Sequence, residues 1–149
     1  MKSRRVSSNK YGVIYKLESP LIIILNNTKS IFGIESAGNY GEYVKWNIEN
    51  IDESIIEFES FLRESHKDLS ITSSIIKRDN YPLMIQTKLP NYKNIDIVRS
   101  EQGDITTIHN FIKKNNFYNL ILEIKGFFVS NKEIKYTIYI KKIELRSNN

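Results

Sequence analysis

The stretch LEIKGFFVSNKEIKYTIYIKKIEL, Leu122 to Leu145, decides the fold. Its apolar residues recur at every second position, the period of a strand and not of a helix. Ser130-Asn131-Lys132 breaks the pattern as a turn, so the stretch is expected to form a β-hairpin. Even positions Leu120, Leu122, Ile124 and Phe128, continued by Ile134, Tyr136, Ile138 and Ile140, are apolar enough for a core face. Odd positions Glu123, Lys125, Phe127, Lys135, Thr137, Tyr139 and Lys141 point the other way. Gly126 interrupts the first strand and is expected to mark a bulge that curves the sheet and aims Phe127.

The odd face carries two aromatics and three lysines against a single acid. Such a face suits single-stranded nucleic acid: lysines follow the phosphates, and exposed rings stack on bases, worth about 1–3 kcal/mol per base. A duplex hides its bases, so rings would gain little there. The competing explanation is an ordinary solvated sheet surface, since Lys, Thr and Tyr are common on strands. A third arrangement puts the face beneath an acidic helix, with Lys125 and Lys141 as its ion-pair partners.

Outward from the hairpin, strand patterning dominates. Tyr11–Leu17 reads as one strand, Ser19-Pro20 interrupts, and Leu21–Leu25 follows as a buried strand. Asn26-Asn27-Thr28-Lys29 signals a turn, followed by strands at SIFGIE and EYVKWNI (Glu42–Ile48). In the latter, Val44, Trp46 and Ile48 share one face, and Tyr43 and Lys45 take the other. Asn50 offers an N-cap, and Ile51, Ile55, Phe58 and Leu62 recur at helical spacing, which predicts a helix over Ile51–Ser65. Strands are expected at LSITSSIIKR and PLMIQTKL, joined by a turn at Asp79-Asn80-Tyr81-Pro82. Pro90–Gly103 reads as a loop with a short strand at Ile95–Val98, and TTIHNFIKKNN as a short helix. The fold class is therefore mainly β with one or two helices, an OB-like barrel of antiparallel strands. Residues 1–10 form a basic arm, expected to be mobile, ahead of a single β-rich domain over 11–149.

The chain has 149 residues, enough to bury a core without a staple, and no Cys, which excludes disulfides and thiolate metal sites. The longest purely apolar run is Leu21–Leu25, far short of the about 20 residues a spanning helix needs. MKSRRVSSNK lacks the apolar core of a secretory signal, so an intracellular protein is expected. Net charge is +5 but segregated: Glu35–Asp68 holds nine acids and three Lys/Arg, a sum of −6, which leaves +11 elsewhere. A sided field of this kind suits a polyanion.

Ile76–Lys93 repeats the basic-aromatic mixture, with Lys77, Arg78, Lys88 and Lys93 between Tyr81 and Tyr92. Loops beside a binding barrel often clamp a strand; the plainer role is a sheet edge protected by Lys and Pro. Tyr43 and Lys45 add a further pair, and Lys2, Arg4, Arg5 and Lys10 could add sequence-independent phosphate contacts. Signals for catalysis are poor. His66 and His109 fall in different predicted helices, where solvated or capping roles are expected. Asp52, Glu57, Glu59 and Glu64 read as acids on an exposed helix face, and the glycines of SAGNYG lack the context of a phosphate loop. No enzyme, cofactor or metal is expected.

The strand-rich pattern, the mid-chain helix and the closing LILEIKGFFVSNKEIKYTIYIKKI resemble the small OB-fold single-stranded DNA-binding proteins of large DNA viruses and phage. The last third carries most of that resemblance. It implies a non-enzymatic binder of single-stranded nucleic acid, DNA more than RNA, in viral DNA replication, recombination or repair, located in host cytoplasm or nucleus. The expected contacts are Lys125, Phe127, Lys135, Tyr139 and Lys141, with Tyr43, Lys45, Lys77, Arg78 and Lys88 flanking. Homo-oligomers are compatible with it. One departure is the ending KKIELRSNN, which has no acidic recruiting tail; the Glu35–Asp68 segment is the candidate replacement. The other function considered is a structural or protein-interaction module, such as a minor virion component or assembly factor.

Overall fold

A computed structural model describes residues 1–36, 41–89, 96–99 and 112–145, with side chains not described for 96–99 and Leu145. The elements are β1 (Ser3–Asn9), β2 (Gly12–Ser36), β3 (Glu42–Asn47), α1 (Glu53–Ser65), β4 (Ser70–Thr72), β5 (Ile75–Ile76), β6 (Met84–Lys88), β7 (Asp96–Arg99), β8 (Phe117–Val129), β9 (Glu133–Tyr136) and β10 (Tyr139–Leu145). Strand neighbours run β2-β3-β6-β10-β8, and β8 pairs again with β2, which closes a ring of five strands. Ring pairings are antiparallel except where Tyr139 of β10 meets Lys88 of β6 in parallel. An odd-numbered, closed ring of this kind is an OB-like barrel.

Strand β2 shows how bulges stand in for breaks. The sequence suggested three strands between Tyr11 and Glu35, separated by a break at Ser19-Pro20 and a turn at Asn26–Lys29, but the backbone continues as one strand of 25 residues. Its register against β8 shifts between Lys16 and Leu21, around Ser19-Pro20, and again between Leu25 and Thr28. Asn27 takes φ 53° and its N–H is held by the Asn119 side chain at 2.9 Å, so the turn signal is used for a bulge. These irregularities let one long strand bend through the barrel wall. The expected basic arm is part of the sheet: Ser3–Asn9 pairs with Gly12–Leu17, although its side chains remain largely exposed.

The barrel interior is filled by Val44, Trp46, Ile85, Leu120, Leu122 and Ile140, each at most 1% exposed. The Trp46 indole donates to Thr87 Oγ1 at 2.8 Å, and its ring meets Tyr118 edge-on at 5.5 Å. Helix α1 begins two residues later than Asn50 suggested: the Asp52 carboxylate accepts the Ser54 N–H at 2.8 Å. It buries Ile55, Phe58 and Leu62 over one end of the barrel, and the His66 backbone N–H closes it on Leu62 O. LSITSSIIKR is two short strands, broken because Ser73 turns its hydroxyl to the Ile75 N–H. The short strand expected at Ile95–Val98 is β7, which pairs in parallel with β10. Most of the expected TTIHNFIKKNN helix, His109 included, lies outside the described residues, as do Tyr92 and Lys93. Its end, Ile112–Asn116, is non-helical and turns with Asn115 at φ 68°. Among the described residues α1 is the single helix.

Candidate nucleic-acid interface

Gly126 governs the site. A Cβ there would sit 2.1 Å from Tyr15 O and 3.2 Å from Lys16 Cα, so β8 can approach β2 this closely only with glycine. The extra residues of the register break lie in β2, between Lys16 and Leu21, opposite Lys125, and across it the parity of β8 is exchanged. Ile124 is buried and Lys125 exposed, yet Phe127 is again buried, at 4% exposure. Its ring stacks on Tyr15 at 4.9 Å and 8° and takes the edges of Phe58 and Phe61 from α1. The expectation that Phe127 is an exposed stacking ring is corrected: it is a core residue under the helix. Phe128, expected inside, is the half-exposed one. It lies between Ile14 of β2 and Lys135 of β9 in one cross-strand row. Its ring covers Gly12, where an added Cβ would come 2.6 Å from Cζ.

Around this bulge lies an open groove of about 730 Å³, walled by β1–β2, the β8–β9 hairpin and the β6–β10 edge. Lys16, Lys88, Lys125 and Lys135 stand along it, with Phe128 and Tyr139 among its lining rings. Tyr15, Phe127 and Tyr136 also border it. Four expected residues are thus brought together: Lys88, Lys125, Lys135 and Tyr139. The register extends the row sideways, because Tyr43 is opposite Lys88 and Lys88 is beside Tyr139, so the three stand side by side across β3, β6 and β10.

Charges around the groove are partly compensated. Lys125 and Lys141 share Glu123, at 3.7 and 3.9 Å, and Lys135 reaches Glu133 at 3.1 Å. These lysine side chains remain 53–60% exposed, so the pairs are solvent-screened and easily exchanged for another anion. The Lys125 ammonium also sits 5.6 Å from the Tyr139 ring centre. Neither Lys16 nor Lys88 has a carboxylate within 4.0 Å among the described residues. The carboxyl of Glu133 is held below its ordinary range by hydrogen bonds from Thr72 and Lys135.

The remaining expected residues separate. Lys45 is not on an open face: its side chain is 8% exposed, with Nζ 3.2 Å from Glu35 and 5.3–5.5 Å from the Tyr43 and Phe32 ring centres. A buried cation needs its counter-charge, and Glu35 on the neighbouring strand provides it. Lys77 and Arg78 are exposed beside the β5–β6 turn, away from the groove; Lys77 borders a smaller hollow of about 300 Å³ between α1 and β5. Lys141 is outside the groove and adjoins it through Glu123. Sequence reasoning missed Tyr15, Lys16 and Phe128. Lys16 and Tyr15 alternate in a strand read as ordinary, and only the pairing of Lys16 with Gly126 brings them to the hairpin.

Glu59 also departs from its expected exposed position. It is 8% exposed and accepts hydrogen bonds from Tyr136 Oη at 2.5 Å and Ser73 Oγ at 2.6 Å, with Arg63 at 3.3 Å. Burial, followed by the Glu59 contact, pushes the Tyr136 phenol well above its ordinary value. This node ties α1 to β9, the strand that carries Lys135. His66 contributes a ring to the same end of the core, 5.9 Å from Tyr15 and 6.3 Å from Phe127. Among the described residues no group of three or more His, Asp or Glu is arranged to hold a metal ion. Among the described residues no helix is long and apolar enough to cross a membrane.

The barrel with its open flank defines a class: OB-like folds, which use the face of the second and third barrel strands and the neighbouring loops to hold oligonucleotides or oligosaccharides. Within that class the chain is similar in structure to the single-stranded DNA-binding protein from bacteriophage Enc34, at TM-score 0.56 and 12% identity over 100% of this chain and 92% of that one. It is also similar to that phage protein in complex with ssDNA, at TM-score 0.54 and 11% identity over 99% and 97%. No family model matches the sequence, and no curated protein matches it.

Proposed function

We propose that the chain is a non-enzymatic single-stranded DNA-binding protein acting in phage or viral DNA replication, recombination or repair. The observation that carries the proposal is the groove at Gly126, which gathers Lys16, Lys88, Lys125 and Lys135 around Phe128 and Tyr139. Lysines in this arrangement would neutralise successive phosphates, and the two rings, with Tyr43 alongside, would stack on bases. Phe127 and Lys45 act indirectly, as the support beneath Tyr15 and beside Tyr43. The ssDNA complex of the similar phage protein supports DNA as the polymer. Titration with labelled oligothymidylate at two salt concentrations tests the proposal. The expected log–log slope is about −0.7 per phosphate neutralised, with single strands bound more tightly than duplex of equal length. Equal, weak binding of both would refute base stacking.

A further inference from the structure

The strand registers place five side chains in one row across the barrel wall: Tyr43 of β3, Lys88 of β6, Tyr139 of β10, Glu123 of β8 and Ile22 of β2. Directly opposed residues share a face of the sheet. The row lies outside, since Val44, Thr87, Leu122, Ile140 and Ile23 are buried on the inner side. Glu123 is the single acid in the row and stands next to Tyr139. Beyond it the wall turns apolar, with Ile22 and Ile24 42% and 60% exposed. The Glu123 side chain is only 13% exposed, and its charged neighbours are Lys125 at 3.7 Å and Lys141 at 3.9 Å. Both distances are longer than the about 2.7–2.9 Å of a charge-assisted hydrogen bond. Among the described residues the carboxylate accepts no hydrogen bond. Lys125 connects the acid to the ring, because its ammonium is also 5.6 Å from the Tyr139 ring centre.

We infer that Glu123 reads the base stacked on Tyr139: it accepts a hydrogen bond from an exocyclic amino group and so favours cytosine, adenine or guanine over thymine at that place. The inference rests on the DNA reading above. Phosphates that draw Lys125 and Lys141 outward uncover the carboxylate beside the stacked base. A carboxylate so little exposed then needs a new donor, because an acceptor left without one is costly. In a single strand the pairing edge of a base is free to supply it. Cytosine offers its N4 amino group to a carboxylate, whereas thymine presents O4 in the same place, an acceptor that the carboxylate repels. Stacking itself barely depends on the base. A preference that depends on Glu123 therefore runs through this acceptor and not through the ring alone.

Anisotropy titrations with labelled oligocytidylate and oligothymidylate of equal length test it. The parent is expected to bind oligocytidylate about fivefold more tightly. An amide accepts from cytosine and donates to thymine, so Glu123→Gln should bind both at least as tightly as the parent and bring the ratio to about one. Tyr139→Ala, which keeps the acid and removes the ring, should lose the preference too. Glu133→Gln is the control for charge: it removes the carboxylate beside Lys135 and should leave the ratio at its parental value. Unfolding curves check that the variants are folded. Equal affinity of the parent for the two oligomers would overturn the inference, as would a cytosine preference that survives Glu123→Gln or Tyr139→Ala. A ratio that Glu133→Gln shifts as far would also overturn it, by reducing the effect to bare charge. If neither oligomer is bound, the DNA proposal falls and the inference with it; equal binding of the two removes the inference alone.

Discussion

Phe127 and Phe128 are adjacent and chemically identical, yet one is buried beneath α1 and the other borders an open groove. On an uninterrupted strand the first would face outward with Lys125, and the second inward with Ile124. The register break in which Lys16 to Leu21 of β2 run against Gly126 to Ile124 of β8 reverses both. In a barrel wall, then, the identity of a binding ring is set by backbone irregularity as much as by residue type. The two flanks of β8 also differ in what they can lose. The inner flank is packed by Tyr15, Phe58 and Phe61, so changes there should act on stability. The outer flank is solvated, so changes there should act on binding.

The largest expected effect is on the inner flank. Phe127→Ala should destabilise the fold by about 3–5 kcal/mol, measured by denaturant unfolding, because the surrounding rings cannot close the cavity. A loss under 1 kcal/mol would mean that the ring is not packed as described. Gly126→Ala should follow, at about 2–3 kcal/mol, since its Cβ would meet backbone and not a flexible side chain. If that variant melts like the parent, the close approach of β8 to β2 is wrong.

Next comes the node between helix and hairpin. Tyr136→Phe leaves the Glu59 carboxylate with one donor fewer in a buried site and should cost about 1–2 kcal/mol at neutral pH. Its pH dependence has a definite sign. The folded phenol is held above the ordinary 10.0, so its contribution is complete below pH 10 and is lost as pH rises beyond it. Tyr136→Phe should therefore flatten the alkaline fall in stability. Some slope remains from Tyr118, whose phenol is also raised by burial. An unchanged slope would mean that burial and Glu59 do not raise the Tyr136 phenol. The smallest effect belongs to the outer flank: Lys16→Gln should leave the melting temperature unchanged and reduce the salt slope of oligonucleotide binding by about 0.7. A slope identical to the parent would remove Lys16 from the phosphate path.

The same contrast explains what was legible in the sequence. Alternation in Leu120–Ile124 and Ile134–Ile140 located the core and the closing hairpin correctly, because burial enforces parity wherever pairing is regular. Lys88, Lys125, Lys135 and Tyr139 came together as expected for the same reason. Parity failed one residue past Gly126: a glycine announces a bulge, but the side to which the next side chain turns depends on the partner strand. Ser19-Pro20 and Asn26-Asn27 misled similarly, since bulges and turns use the same residues. Lys45 and Glu59 were misplaced because their partners, Glu35 and Tyr136, are 10 and 77 residues away along the chain. Only the topology shows that these charges are satisfied internally.

The most direct measurement pairs oligothymidylate titration with an unfolding curve for the double variant Phe128→Ala/Tyr139→Ala. With the fold retained, affinity should fall by about 1–3 kcal/mol for each base that loses its ring, at an unchanged salt slope. A double variant that unfolds like the parent and binds the oligonucleotide just as tightly would contradict the groove as the binding surface.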